Sequence, residues 1–102
     1  MKVSMDRFEA AVEEAIEAIP AEFQPYLENI EFLVAPSSPE GLLGLYEGSG
    51  AGDDEWPQRI TIFKRAHEEA ADSWDELVEE IRRTILHEVG HHFGMDEHDL
   101  PF

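Results

Sequence analysis

The segment from residue 73 to residue 94 constrains the fold most, because it carries one apolar stripe over several helical turns. The stripe consists of Trp74, Leu77, Val78, Ile81, Ile85 and Val89. Ser73 and Glu76 form a capping box, in which each side chain can accept a hydrogen bond from a free backbone N–H at the helix start. Gly94 is placed to end the helix in the left-handed conformation. The pattern therefore predicts a C-terminal helix that packs its stripe on a sheet.

A second amphipathic helix is predicted over residues 4–19, with Ser4 as its cap and Pro20 preventing its continuation. Three strand-like segments lie between the helices, at residues 29–35, 42–46 and 59–65. The last of these holds three of the seven basic residues, which favours an edge strand protected by charge. The glycine-rich residues 48–57 are predicted to form a surface loop. Together the elements predict an α+β fold, a small mixed sheet packed by an N-terminal and a C-terminal helix.

Composition limits the possible functions. A chain of 102 residues is long enough for one small domain, expected over residues 1–102. It has 24 acidic and 7 basic residues and a net charge of −17, so nucleic acid and anionic membranes are not expected as partners. Cysteine is absent, which excludes disulfides and thiolate metal sites. Neither a signal peptide nor a membrane span is apparent, and the expected location is cytoplasmic.

The pattern H-E-x-x-H occurs on the C-terminal helix, as His87, Glu88 and His91. A shuffled chain of this composition would contain it about 0.04 times, so a chance occurrence is disfavoured. The two histidines lie one helical turn apart, roughly 6 Å along the axis, and away from the apolar stripe. Two imidazoles so placed can bind one Zn²⁺. Glu88 lies between the two helix faces, which suits a general base that takes a proton from zinc-bound water.

A catalytic zinc usually has three protein ligands. The third could come from the turn after Gly94, which offers Asp96, Glu97, His98 and Asp99. It could also come from upstream, where His67 is the main alternative, or from another chain. The acidic helical surroundings of His67 favour a surface histidine instead. His92 falls in line with Ile85 and Val89 on the stripe, so we expect it to be a buried histidine rather than a ligand.

The segment H-E-V-G-H-H-F-G-M-D-E resembles the metzincin-type zincin signature, His-Glu-x-x-His-x-x-Gly-x-x followed by His or Asp. The paired His91 and His92, with Phe93 and Gly94, are more similar still to a family of very small bacterial zincin-like proteins, sometimes called minimal metalloproteases. The segments LLGLYEG and RITIFKR also resemble that family. The resemblance implies an α+β zincin core, a catalytic zinc and hydrolysis of peptide bonds.

By this resemblance, His87 and His91 match the first two zinc ligands, Glu88 matches the general base, and Glu97 falls at the third-ligand position. The chain departs from the family there, because glutamate replaces Asp or His, and His98 and then Asp96 remain alternatives. A methionine turn after this position, usual in that family, is not expected here, because only a few residues follow. Little of the usual lower half of the substrate-binding site is therefore expected.

These features favour a zinc-dependent peptidase acting on a peptide or protein substrate through a metal-bound water activated by Glu88. The predicted edge strand 59–65 could align an extended peptide by β-augmentation. Tyr46, Lys64 and Arg65 are the candidates for stabilising the oxyanion. Two alternatives remain: a metal-binding domain without turnover that retains a zincin fold, and an acidic interaction module that occupies a basic partner.

Overall fold

The computed structural model describes residues 1–48 and 58–92, the last two by their backbone alone. Its elements, in chain order, are helix α1 (Met5–Glu17), the 3-10 helix η1 (Ala21–Leu27), strand β1 (Ile30–Ala35), strand β2 (Gly44–Glu47), strand β3 (Gln58–Phe63), helix α2 (Lys64–Ala70) and helix α3 (Trp74–His92). Both predicted helices and all three predicted strands are present. The short helix α2 occupies the end of the segment that was predicted as the third strand. In this part of the chain no helix has the length and apolar composition needed to cross a membrane.

Both predicted N-terminal helix caps are confirmed. The Ser4 hydroxyl accepts a hydrogen bond from the Arg7 backbone N–H at 3.2 Å. At the start of α3, the Ser73 hydroxyl accepts from the Glu76 N–H, also at 3.2 Å. The Glu76 carboxylate accepts from the N–H of Asp72 at 2.9 Å, one residue before the cap. A side-chain cap of this kind contributes about 1 kcal/mol to helix stability.

The sheet is mixed and has the strand order β1-β3-β2, with β1 parallel and β2 antiparallel to β3. The prediction that residues 59–65 form an edge strand was therefore wrong, because β3 is the central strand. Arg59 lies opposite Glu31 on β1 and Glu47 on β2, and its Nε is 3.2 Å from Glu31 Oε2. Its charge pairs across the sheet rather than protecting an edge. The other two basic residues of the segment belong to α2.

The core lies between one face of the sheet and the helices. Its buried side chains include Ile30, Ile60 and Ile62 from the sheet, Phe8 and Val12 from α1, and Leu77, Ile81 and Ile85 from α3. Each fully buried aliphatic side chain of this kind contributes roughly 1.5–3 kcal/mol. Helix α3 packs on α1 as well as on β2 and β3. This packing fixes α3 against the edge strand β2, in the predicted α+β arrangement.

Candidate functional site

His87 and Glu88 lie on α3 in the orientations that the sequence predicts. Because Ile81 and Ile85 turn into the core, His87 is exposed on the opposite side of the helix. Glu88, at the border between the two faces, is only 9% exposed. The helix therefore presents an accessible imidazole beside a carboxylate that is largely shielded from solvent.

Both residues line a cleft of about 440 Å³ between α3 and the segment leading into β2. The helix wall is formed by Glu80, Arg83, Thr84, His87 and Glu88, and the other wall by Leu42, Leu43 and Gly44. Leu42 and Leu43 are 37% and 39% exposed. One wall of the cleft is thus apolar and open to solvent, whereas the other carries the polar groups.

The close approach of β2 to α3 depends on Gly44. A Cβ atom at this position would lie 2.7 Å from Thr84 Cγ2 and 3.5 Å from Glu88 Cγ. Glycine within a strand is typical of a position where another group comes close to the backbone. The edge strand therefore passes next to Glu88 with no room for a side chain between them.

Thr84 also fixes α3 to α2 through His67. The imidazole of His67 is fully buried, with Nδ1 2.8 Å from the Phe63 carbonyl oxygen and Nε2 2.9 Å from Thr84 Oγ1. Burial lowers the pKa of His67, against the opposing effects of the Phe63 carbonyl and the Glu80 charge. A neutral ring donates from Nδ1 to the carbonyl, which can only accept, so Nε2 is the acceptor that faces the Thr84 hydroxyl. The single hydrogen of this hydroxyl has two acceptors within reach, His67 Nε2 at 2.9 Å and the Glu80 carbonyl oxygen at 3.0 Å.

The expectation that His67 is a surface histidine was wrong. Both of its ring nitrogens are engaged inside the protein, so His67 is also not placed to serve as the alternative third metal ligand. Sequence reasoning missed this buried pair, since nothing in the local pattern shows that the short helix α2 packs under α3. The sequence feature that could have indicated a buried hydrogen-bonding partner is Thr84, which lies one helical turn before Glu88.

The remaining predicted ligands lie at or beyond the end of the described chain. The backbone of α3 continues to His92, which places His91 one turn after His87 on the same side of the helix. The side chains of His91 and His92, and all of residues 93–102, are outside the described residues, so the expectations for Gly94, Asp96, Glu97, His98 and Asp99 stay predictions. Within residues 1–48 and 58–90, no three His, Asp or Glu side chains are grouped to hold a metal ion.

The three residues predicted to stabilise an oxyanion are not among those that line the cleft of His87 and Glu88. The Tyr46 hydroxyl donates to Gln58 Oε1, and its ring packs against the core. Lys64 donates to Glu68 Oε2 at 3.2 Å. Lys64 and Arg65 line a different cavity from the cleft that holds His87. Of the predicted loop 48–57, only Gly48 is described.

Comparison with known proteins identifies relatives of the chain. A family model described as a zincin-like metallopeptidase matches residues 20–101. A solved structure, of a conserved hypothetical protein from Thermo thermophilus, is similar over 87% of this chain and 92% of its own, with 26% sequence identity and a TM-score of 0.57. A search of curated proteins gives no match.

Proposed function

This chain belongs to the zincin-like metallopeptidase family, and we propose that it is a zinc-dependent peptidase that hydrolyses peptide bonds in a peptide or protein substrate. The supporting observation is that His87 and Glu88 open together on one cleft beside the edge strand β2. His87 and His91 would hold the zinc ion, with Glu97 as the third ligand. Glu88 would be the general base.

The donors suit this metal. Imidazole nitrogens and a carboxylate oxygen are common zinc ligands, and the helical spacing of His87 and His91 lets both rings reach one ion. When bound, zinc supplies a Lewis acid that polarises a carbonyl group and lowers the pKa of a water molecule. The exposed position of His87 leaves its ring accessible from the cleft.

The position of Glu88 supports its proposed role as the general base. Glu88 lines the cleft although only 9% of the residue is exposed, and the backbone of Gly44 passes beside its Cγ. A carboxylate held there can take a proton from water in the cleft and give it to the leaving amine. General base catalysis of this kind contributes about 10²–10⁴-fold to a rate.

The edge strand for substrate docking is β2 rather than β3. The Phe63 N–H donates to the Leu43 carbonyl at 2.9 Å, and pairing alternates along an antiparallel ladder. The N–H and C=O of Gly44 therefore point away from β3, towards the outer edge of the sheet. An extended peptide adding to this edge would pass beside Glu88 and could place an apolar side chain against Leu42 and Leu43.

The test is cleavage of a diverse peptide library by the zinc-loaded protein and its Glu88→Gln variant. We expect Glu88→Gln to lower kcat by about 10²-fold or more while zinc affinity is kept. Glu79→Gln is the matched control, because Glu79 lies on the same helix, pairs with Arg82 and Arg83, and does not line the cleft. Equal cleavage by wild type and Glu88→Gln would contradict the proposal.

Two other outcomes would favour a different function over the peptidase. Tight zinc binding without cleavage of any peptide would favour a metal-binding domain without turnover. Recovery of a basic partner equally well by wild type and His87→Ala, with no zinc binding by either, would favour an acidic interaction module.

To identify the third ligand, zinc affinity is compared among Glu97→Ala, His98→Ala and Asp96→Ala, and we expect the largest loss for Glu97→Ala.

A further inference from the structure

A second cavity, of about 550 Å³, collects positive charge on a strongly acidic protein. Three of the seven basic residues line it: Lys2, Lys64 and Arg65. The only acidic residue among its described lining residues is Glu68, although the chain has 24 acidic residues. The lining of the cavity is therefore positively charged, whereas the chain as a whole has a net charge of −17.

Glu68 neutralises only one of these cations. Its carboxylate accepts from the Val3 N–H at 2.8 Å and from Lys64 Nζ at 3.2 Å. Burial acts to raise the pKa of Glu68, but the hydrogen bond from Val3 and the contact with Lys64 outweigh it and lower that pKa. Within the described chain, the Lys2 ammonium and the Arg65 guanidinium have no ion pair or side-chain hydrogen bond. Two positive charges are thus left for a ligand.

The cavity lies where ligands commonly bind in sheets with parallel strands. Pro36 and Ser37 directly follow β1, and Lys64 and Arg65 directly follow the parallel strand β3. The Arg65 N–H donates to the Pro36 carbonyl at 2.9 Å, which holds the two strand ends together. Crevices outside the carboxyl ends of parallel strands are typical ligand sites.

We propose that this cavity binds a small, multiply charged oxyanion, a phosphate ester or a dicarboxylate, through Arg65 and Lys2. A guanidinium can bind two oxygens of such a group side by side, and an ammonium adds a second charge. The volume suits a small molecule. A nucleic acid would meet the repulsion of the surrounding acidic surface. The site shares no residue with the cleft of His87 and Glu88, so it stands apart from the proposed peptidase activity.

The test is a titration of the full chain at low ionic strength with phenyl phosphate and with succinate, followed by calorimetry and by backbone amide NMR shifts. Acetate is the singly charged control ligand. We expect saturable binding of at least one dianion, with shifts at Ser37 and Arg65, and weaker binding of acetate. Arg65→Gln should weaken the dianion at least tenfold, and Lys2→Gln should weaken it less.

Arg59→Gln is the matched control variant, because Arg59 is an exposed arginine on β3 that lines neither this cavity nor the cleft of His87 and Glu88. Circular dichroism checks that each variant folds. Binding of phenyl phosphate alone, or of succinate alone, supports the site and identifies its ligand chemistry. The proposal is overturned if neither dianion binds saturably, or if Arg65→Gln and Arg59→Gln weaken binding equally.

Discussion

The methyl group of Thr84 occupies the space in which a side chain on Gly44 would begin, since a Cβ there would lie 2.7 Å from Thr84 Cγ2. The hydroxyl of the same threonine lies 2.9 Å from Nε2 of the buried His67. Thr84 thus contacts the edge strand with one branch and α2 with the other, one turn before Glu88. The position of the proposed general base relative to β2 depends on these two contacts.

Gly44→Ala should destabilise the protein by about 1–3 kcal/mol, because the added methyl group overlaps Thr84 and forces β2 away from α3. Urea denaturation measures the change in the free energy of unfolding. Peptidase activity should fall as well, because the strand moves away from Glu88.

The double variant Gly44→Ala/Thr84→Ser provides the control, since serine removes the clashing methyl group and keeps the hydroxyl. It should recover most of the stability lost in Gly44→Ala. If both variants lose the same amount of stability, the contact between Gly44 and Thr84 is not the cause of the loss.

Thr84→Val should cost about 1–3 kcal/mol, because valine keeps the methyl group beside Gly44 and leaves the buried Nε2 of His67 without its partner. Thr84→Ser keeps the hydroxyl and should cost less than Thr84→Val. The denaturation midpoints and slopes of the two variants give their free energies of unfolding. Comparing these separates the contribution of the hydroxyl from that of the methyl group. A larger loss for Thr84→Ser would contradict this role of the hydroxyl.

Protonation of His67 should make folding less favourable in weakly acidic solution. Burial lowers its folded-state pKa below the ordinary value of 6.5, so the unfolded chain binds more protons between the two values. The stabilising contribution is complete above about pH 6.5 and is lost as the pH falls towards the folded-state pKa. His67→Gln removes this titration, and its free energy of unfolding, measured from pH 7.5 to 5, should change less than that of the wild type. Parallel curves for the two proteins would contradict the assignment to His67.

Local patterns were sufficient to predict α1 and α3 and the orientation of His87 and Glu88 on α3. The stripe of α3 places Ile81 and Ile85 in the core, and the same periodicity turns His87 outward and leaves Glu88 at the border. The hydroxyl of Ser73 caps the helix as predicted. Each of these results depends on neighbours within one or two helical turns, which the sequence shows directly.

Strand order and the buried histidine depend on contacts between distant segments, and the sequence does not show these. The alternating pattern around Arg59 fits an edge strand and a central strand equally well. Its ion pair with Glu31 forms because β1 lies beside β3, and the sequence does not show this pairing of strands. His67 sits among charged residues in the chain, yet it contacts Phe8 and Thr84 from two other helices. Strand pairing determines the surroundings of Arg59, and helix packing determines the burial of His67. In both cases the local composition favours a different prediction.

Zinc should stabilise the protein if His87 and His91 bind it. Ligand at a hundred times its dissociation constant adds about 2.7 kcal/mol to the free energy of unfolding, which raises the Tm of a domain of this size by roughly 10–20 °C. His87→Ala should abolish this shift, and Glu97→Ala should reduce it, whereas Glu88→Gln should keep it because a general base is not a ligand. Thermal denaturation with and without zinc, after removal of metal by a chelator, measures all four proteins. A shift that persists in His87→Ala would place the metal elsewhere, and one that disappears in Glu88→Gln would make Glu88 a ligand.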